Sequence, residues 1–352
     1  MVIAALLGAF TLAGTPAAPA LPVSAAAGCT AQPTRAALIA GAASCTIAAA
    51  EAVAQPGDVV AVAPGAYPPT RLAASGTAAA PIVVSATPGT VSIDAGSGSH
   101  ALNLTGIADV QIQGLDLTGG SSQVVWVDGS TGIDLAGLTV SGSAGHGVQV
   151  NDSTAITIQS SVIEANANAG IMETGADSGD TFLDDTVTGN GAGPSPYLGS
   201  GIEVDGTGTQ IVGCTITGNG ASKLYEHGVY VAADATGWLI SGSTISDSSG
   251  ADVKAGGSDG TITTSTLGSA RLGVYAKGTD VTLSDDQIQG SFRNGIVVAG
   301  GSTLLSQSVV SNDGKGYGAI AQAAIYYGGG KLQLADSTLL LRGVPVKPHG
   351  PA

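Results

Sequence analysis

Charge is what this sequence most lacks. Asp, Glu, Lys and Arg make up 11% of its 352 residues, and aromatic residues 4%. Cations are scarcest, with 11 Lys and Arg against 26 Asp and Glu and a formal net charge of −15. A chain that negative excludes nucleic acid and anionic membrane as partners and favours solubility. Low charge with 55 Gly would suit disorder, but Val, Ile, Leu and Thr alternate throughout, which disorder does not explain. No zinc-ligand spacing and no phosphate loop occurs. After the N-terminal apolar run, no stretch is long and apolar enough for a membrane helix.

That first run, Val2 to Leu12, is too short to span a bilayer and leads to small residues around Ala27. It reads as a secretion signal over residues 1–27, without the usual basic start. A lipid anchor at Cys29 ranks below a plain signal, because Ala26 stands where a larger aliphatic residue is expected. The three Cys fit an exported protein: Cys29 and Cys45 would close a loop, and Cys214 reads as a buried small residue. The expectation is a secreted monomer.

What is abundant is repetition. Short segments recur after Gly: "GVQV" at Gly147, "GIME" at Gly170, "GIEV" at Gly201, "GVYV" at Gly228, "GVYA" at Gly273 and "GIVV" at Gly295. The spacing is 23 residues from Gly147 to Gly170 and 22 from Gly273 to Gly295. Around Gly201 it lengthens through the insertions "GNGAGPSPYLGS" and "GNGASKLYEH". A second segment follows each first one, as in "WLISGSTI". This period is too short for propeller blades and lacks the leucine-rich frame. It predicts an all-β, right-handed parallel β-helix of about ten coils, each stacked about 4.8 Å from the last.

The repeats resemble the pectate-lyase-like β-helix superfamily from about Asp58 to Leu341. "TIAAAEAVAQPGDVVAVAPGAY" is similar to the short capping helix and first strand that open many members. The division expected is a cap segment over residues 28–57, the β-helix over 58–341, and a tail over 342–352 whose prolines end the stack.

Aligned coils sort the polar residues. The fourth position of the second segment reads Ser161, Asp185, Cys214, Ser243, Ser265, Asp286, Ser308 and Ser337. Such a column reads as an internal hydrogen-bond ladder, so the Asp184–Asp185 and Asp285–Asp286 pairs read as structural. In the first strand, alternation turns Asn103, Trp126, Gln149, Met172, Glu203, Tyr230, Lys254, Tyr275, Val297 and Tyr326 outward to one side. Tyr225, Glu226, His227, Asp252, Arg271, Lys277 and Arg293 lie nearby, making an aromatic, basic face walled by the insertions.

The resemblance implies that this face is a cleft for an acidic polysaccharide. Lys254 in "GADVKAGG" looks like the Lys of the alginate-lyase and chondroitin-lyase B family. Where that family has an Arg one coil on, this chain has Tyr275. The chemistry implied is C5-proton abstraction from a uronate, as in a lyase or epimerase. Lys254 would be the base and Tyr230, Tyr275 or His227 the proton donor. Arg271, Lys277 or Arg293 would neutralise the carboxylate, with Glu203, Tyr225, Asp252 and Trp126 binding sugar. Calcium, held by Asp205, Glu226 or Asp252, would bridge protein and anionic sugar. Two other readings stand beside this one. One is a non-catalytic surface or glycan-binding β-helix, in which Lys254 only pairs with Asp252 and the aromatic residues only stack. The other is glycoside hydrolysis by Glu203 and Asp205.

Overall fold

The computed structural model describes residues 38–40, 46–194, 199–221, 225–312, 323–341 and 344–345. The expected signal segment, Cys29, Cys45 and most of the C-terminal tail lie outside them. The described residues form a right-handed parallel β-helix of three sheets. Two sheets carry 13 strands; the third carries 11, from Thr70–Leu72 to Ile325–Tyr327. From Gly65–Tyr67 to Thr338–Leu341, successive strands pass from sheet to sheet in turn, and from Ile82–Ala86 onward each of them pairs in parallel with the strand one coil before it.

Alternation explains the strands. Val125, Val148, Ile171, Ile202, Val229, Val253, Val274, Ile296 and Ile325 pair successively along the 11-stranded sheet. All point inward and none is more than 1% exposed. Burying each such side chain stabilises the stack by roughly 1.5–3 kcal/mol relative to exposure. The β-branched side chains also suit a pleated surface.

The helix Ile47–Glu51 covers the N-terminal end of the stack. Thr46 caps it, its Oγ1 accepting from Ala49 N–H at 3.1 Å, and Ile47 and Ala50 enter the core. Buried Glu51 accepts from the N–H groups of Ala73 and Ala74 at 3.0 and 2.6 Å, tying the helix to the stack. Pairing begins before residue 58, since Leu38–Ala40 already lies parallel to Val59–Val62. At the other end Thr338–Leu341 pairs antiparallel with Val344–Pro345, a fold-back that closes the edge of its sheet.

Internal hydrogen-bond ladders hold the corners. The N–H of Ser161 donates to Asp185, that of Cys214 to Ser243, Ser243 to Ser265, Ser265 to Asp286, Asp286 to Ser308, and Ser308 to Ser337. Asp185 and Asp286 are therefore structural acceptors. Another ladder joins Asn166, Asn190 and Asn219: each backbone N–H and side-chain amide of one coil donates to the next Asn Oδ1.

Candidate functional site

The 11-stranded sheet presents three outward columns. The central one is set by pairing: Asn103, Trp126, Gln149, Met172, Glu203, Tyr230, Lys254, Tyr275, Val297 and Tyr326 stand successively opposite one another. Arg71, paired with Asn103, extends it by one coil. One flanking column includes His227, Ala251 and Leu272; the other includes Ala232, Gly256 and Lys277.

A cavity of about 530 Å³ opens there, lined by Glu203, Tyr225, His227, Tyr230, Gly250, Ala251, Lys254, Arg271, Leu272, Tyr275 and Lys277. The Lys254 Nζ lies 3.7 Å from the centre of the Tyr230 ring, a cation–π contact. The Tyr230 and His227 rings are 6.0 Å apart and tilted by 32°. Tyr225 stands at the rim, 65% exposed.

His227 is a neutral donor by construction. The N–H of Ala251 donates to its Nδ1 at 2.9 Å, so the neutral ring carries its proton on Nε2. Burial, helped by the charge of Lys254, brings its pKa down to about 4. Glu203 is shifted the other way. Burial pushes its carboxyl up to about 7, opposed by hydrogen bonds from Ser200 and the charge of Lys254 and assisted by Glu226.

Several expected residues stand elsewhere. Arg293 lines an adjoining cavity of about 370 Å³ that shares Leu272 and Tyr275 with the first and reaches Tyr326. Trp126 belongs to the same column as Tyr230 but lies four coils away, stacked on His100 with ring centres 6.0 Å apart. Glu226 is fully buried. Asp252, expected outward beside Lys254, is fully buried too, and burial raises its pKa well above the usual carboxylate range.

The corner explains Asp252. Its position in other coils is Gly147, Gly170, Gly201, Gly228 or Gly273. A Cβ on Gly201 would lie 2.6 Å from Gly228 O and 2.8 Å from the Asn219 amide of the next coil. The register gives Asp252 the buried Ala270 where Gly201 meets Asn219, so the acid turns inward where its neighbour carries only a methyl group. Parity along the strand does not hold through a corner, and the Asp252–Lys254 surface pair does not form.

Of the expected metal ligands, only Asp205 keeps partial exposure, and it does not line the cavity. Among the described residues no three His, Cys, Asp or Glu side chains group to hold a metal ion. The same residues include no helix long and apolar enough to cross a membrane. Leu272 and Gly250 were absent from the sequence reading of the site, although Leu272 shares a column with His227. Glu173 was missed as well. Its inward parity in "GIMETG" was legible, and it accepts from Gly206 N–H and Thr209 Oγ1 at 3.0 and 2.9 Å.

The chain belongs to a class of coiled parallel solenoids, and the family can be stated. The family described as right handed beta helix region matches residues 89–216 and 200–338, and the chain is a member of it. No curated protein matches the chain in sequence. Similar solved structures include an alginate lyase from Paenibacillus sp. str. FPU-7, 16% identical over 85% of this chain and 98% of that one, TM-score 0.52. DFA-IIIase from Arthrobacter chlorophenolicus A6 is 12% identical over 80% and 84%, TM-score 0.59. The A-module of the Azotobacter vinelandii mannuronan C-5 epimerase AlgE4 is 15% identical over 84% and 90%, TM-score 0.50. Identities this low establish a shared fold.

Proposed function

We propose that this protein is a carbohydrate-active enzyme that binds a uronate-containing polysaccharide in the Lys254 cavity and abstracts its C5 proton. The carrying observation is that a chain of net charge −15 gathers Lys254, Arg271 and Lys277 with Tyr230 and Tyr275 around one cavity. The presence of an alginate lyase and a mannuronan epimerase among structures of the same fold supports a polysaccharide substrate.

Arg271 and Lys277 neutralise the sugar carboxylate, which makes the C5–H bond easier to ionise. Lys254 is the base that takes that proton. In elimination the C4–oxygen bond then breaks, and the Tyr275 hydroxyl protonates the leaving oxygen. In epimerisation a proton returns to C5 from the opposite face. His227 Nε2–H donates a hydrogen bond to the bound sugar and takes no proton, since its one basic nitrogen, Nδ1, is occupied by the Ala251 N–H.

Deuterium uptake at C5 from heavy water reports epimerisation, and a new ultraviolet-absorbing double bond reports elimination. One of the two is expected on alginate, pectate or chondroitin oligomers, with Lys254→Ala lowering its rate by at least about 100-fold. An unchanged rate in that variant would reject the assignment. One observation favours a second reading, a glycan binder without catalysis: the Lys254 ammonium already rests on the Tyr230 ring. Retention of uronate oligomers with neither exchange nor a new double bond on any of them would select it.

A further inference from the structure

The central column is chemically divided along the stack. Toward the C-terminal end, Lys254, Arg271, Lys277 and Arg293 surround Tyr230, Tyr275 and Tyr326 in two adjoining cavities. Toward the N-terminal end the sequence holds no Lys or Arg between Arg71 and Lys223. The outward face there carries Trp126, stacked on His100, between Asn103 and Gln149 of the adjacent coils. Acids join it: Asp128 binds the Asn151 amide at 2.7 Å, and partly exposed Asp205 occupies the same flanking column.

An aromatic ring flanked by side-chain amides suits the face of an uncharged sugar, with the apolar ring underneath and donors and acceptors at its rim. A carboxylate placed there would meet Asp128, and the nearest cation of the column, Arg71, stands two coils away. Trp126 and Tyr230 are four coils apart, about 19 Å, and a glycan chain laid along the stack offers roughly one ring per coil. One extended chain therefore reaches both places.

Resting on the acidic-sugar reading of the Lys254 cavity, we infer that the ligand is a mixed polymer. Its uronate residues occupy the basic half, and uncharged sugars lie over Trp126. A homopolymer of uronate fits only half of this surface.

Fluorescence gives a direct test, because the chain has two Trp and the other, Trp238, is 2% exposed. Titration with an acidic heteropolysaccharide containing neutral residues is expected to shift tryptophan emission. A uronate trisaccharide, too short to reach Trp126, is expected to bind without that shift. Trp126→Ala should weaken heteropolymer binding about tenfold while leaving trisaccharide affinity unchanged. Unaltered heteropolymer binding in Trp126→Ala, or equal affinity and equal Trp126 dependence for a polyuronate, overturns the inference and leaves the cavity reading intact. If the trisaccharide fails to bind the native protein, the cavity reading falls and this inference falls with it.

Discussion

Glu203 and His227 show how single residues set the character of the cavity. Both are removed from water, and burial drives each toward its neutral form: the acid up to about 7, the imidazole down to about 4. Below about pH 7 Glu203 is protonated, and the cationic side chains act on an anionic sugar unopposed. As pH rises through 7 the carboxyl ionises and repels that sugar. Affinity for uronate oligomers is therefore expected to fall between about pH 6 and pH 8, and Glu203→Gln should flatten the fall. Calorimetric titration across that range checks it; an unchanged pH profile in the variant would show that Glu203 does not act on the ligand. Asp252 marks where residue-level reading stopped. Strand alternation placed it outside, but its direction is decided by Ala270, a residue of the next coil.

At the scale of the element, the corner ladders matter more than the strands they join. Many strands are only three residues long, as in Val229–Val231 and Thr244–Ser246, and depend on coils above and below. Asn190 serves three neighbours: its Oδ1 accepts from Asn166, its amide donates to Ile163 O and Asn219 Oδ1, and its N–H donates to Asn219. Truncation leaves buried donors and an acceptor unsatisfied, so Asn190→Ala should cost about 3 kcal/mol. Exposed Gln210→Ala, on a nearby strand, should stay within about 0.5 kcal/mol. Urea unfolding of the two variants measures the contrast, and equal midpoints would refute the ladder's importance. The Ser161 to Ser337 column was legible because its residues recur at a fixed place. The Asn ladder was not, since three Asn followed by Ser248 and Ala270 make a short, broken column.

At the scale of the whole molecule, the interior is unusually rich in acids that favour protonation. Burial raises Glu173 to about 8, Asp180, Asp185 and Asp286 to about 7, and Asp177 to about 6. A raised folded-state value means that the folded chain holds protons which the unfolded chain has released. Stability from these groups is complete below the ordinary carboxylate range and is lost as pH rises toward 8. His146 and His227, both lowered to about 4, act oppositely and remove stability as pH falls from 6.5 toward 4. The acids are more numerous, and the net negative charge adds repulsion at high pH. Thermal unfolding is expected several degrees higher at about pH 5.5 than at about pH 8.5. A flat or rising profile over that interval would contradict the protonated interior. The fold itself was legible at this scale because a period near 22 residues leaves few architectures. The cavity was legible only in part, since its lining includes Leu272, Ala251 and Gly250, residues with no chemical signature.

The register passes unbroken across both long insertions, Ile171 to Ile202 and Ile202 to Val229. Rim and floor of the cavity are thus independent variables in heredity. A lengthened or trimmed insertion remodels what surrounds a sugar without displacing Tyr230, Lys254 or Tyr275, so descendants of this scaffold can change diet one loop at a time.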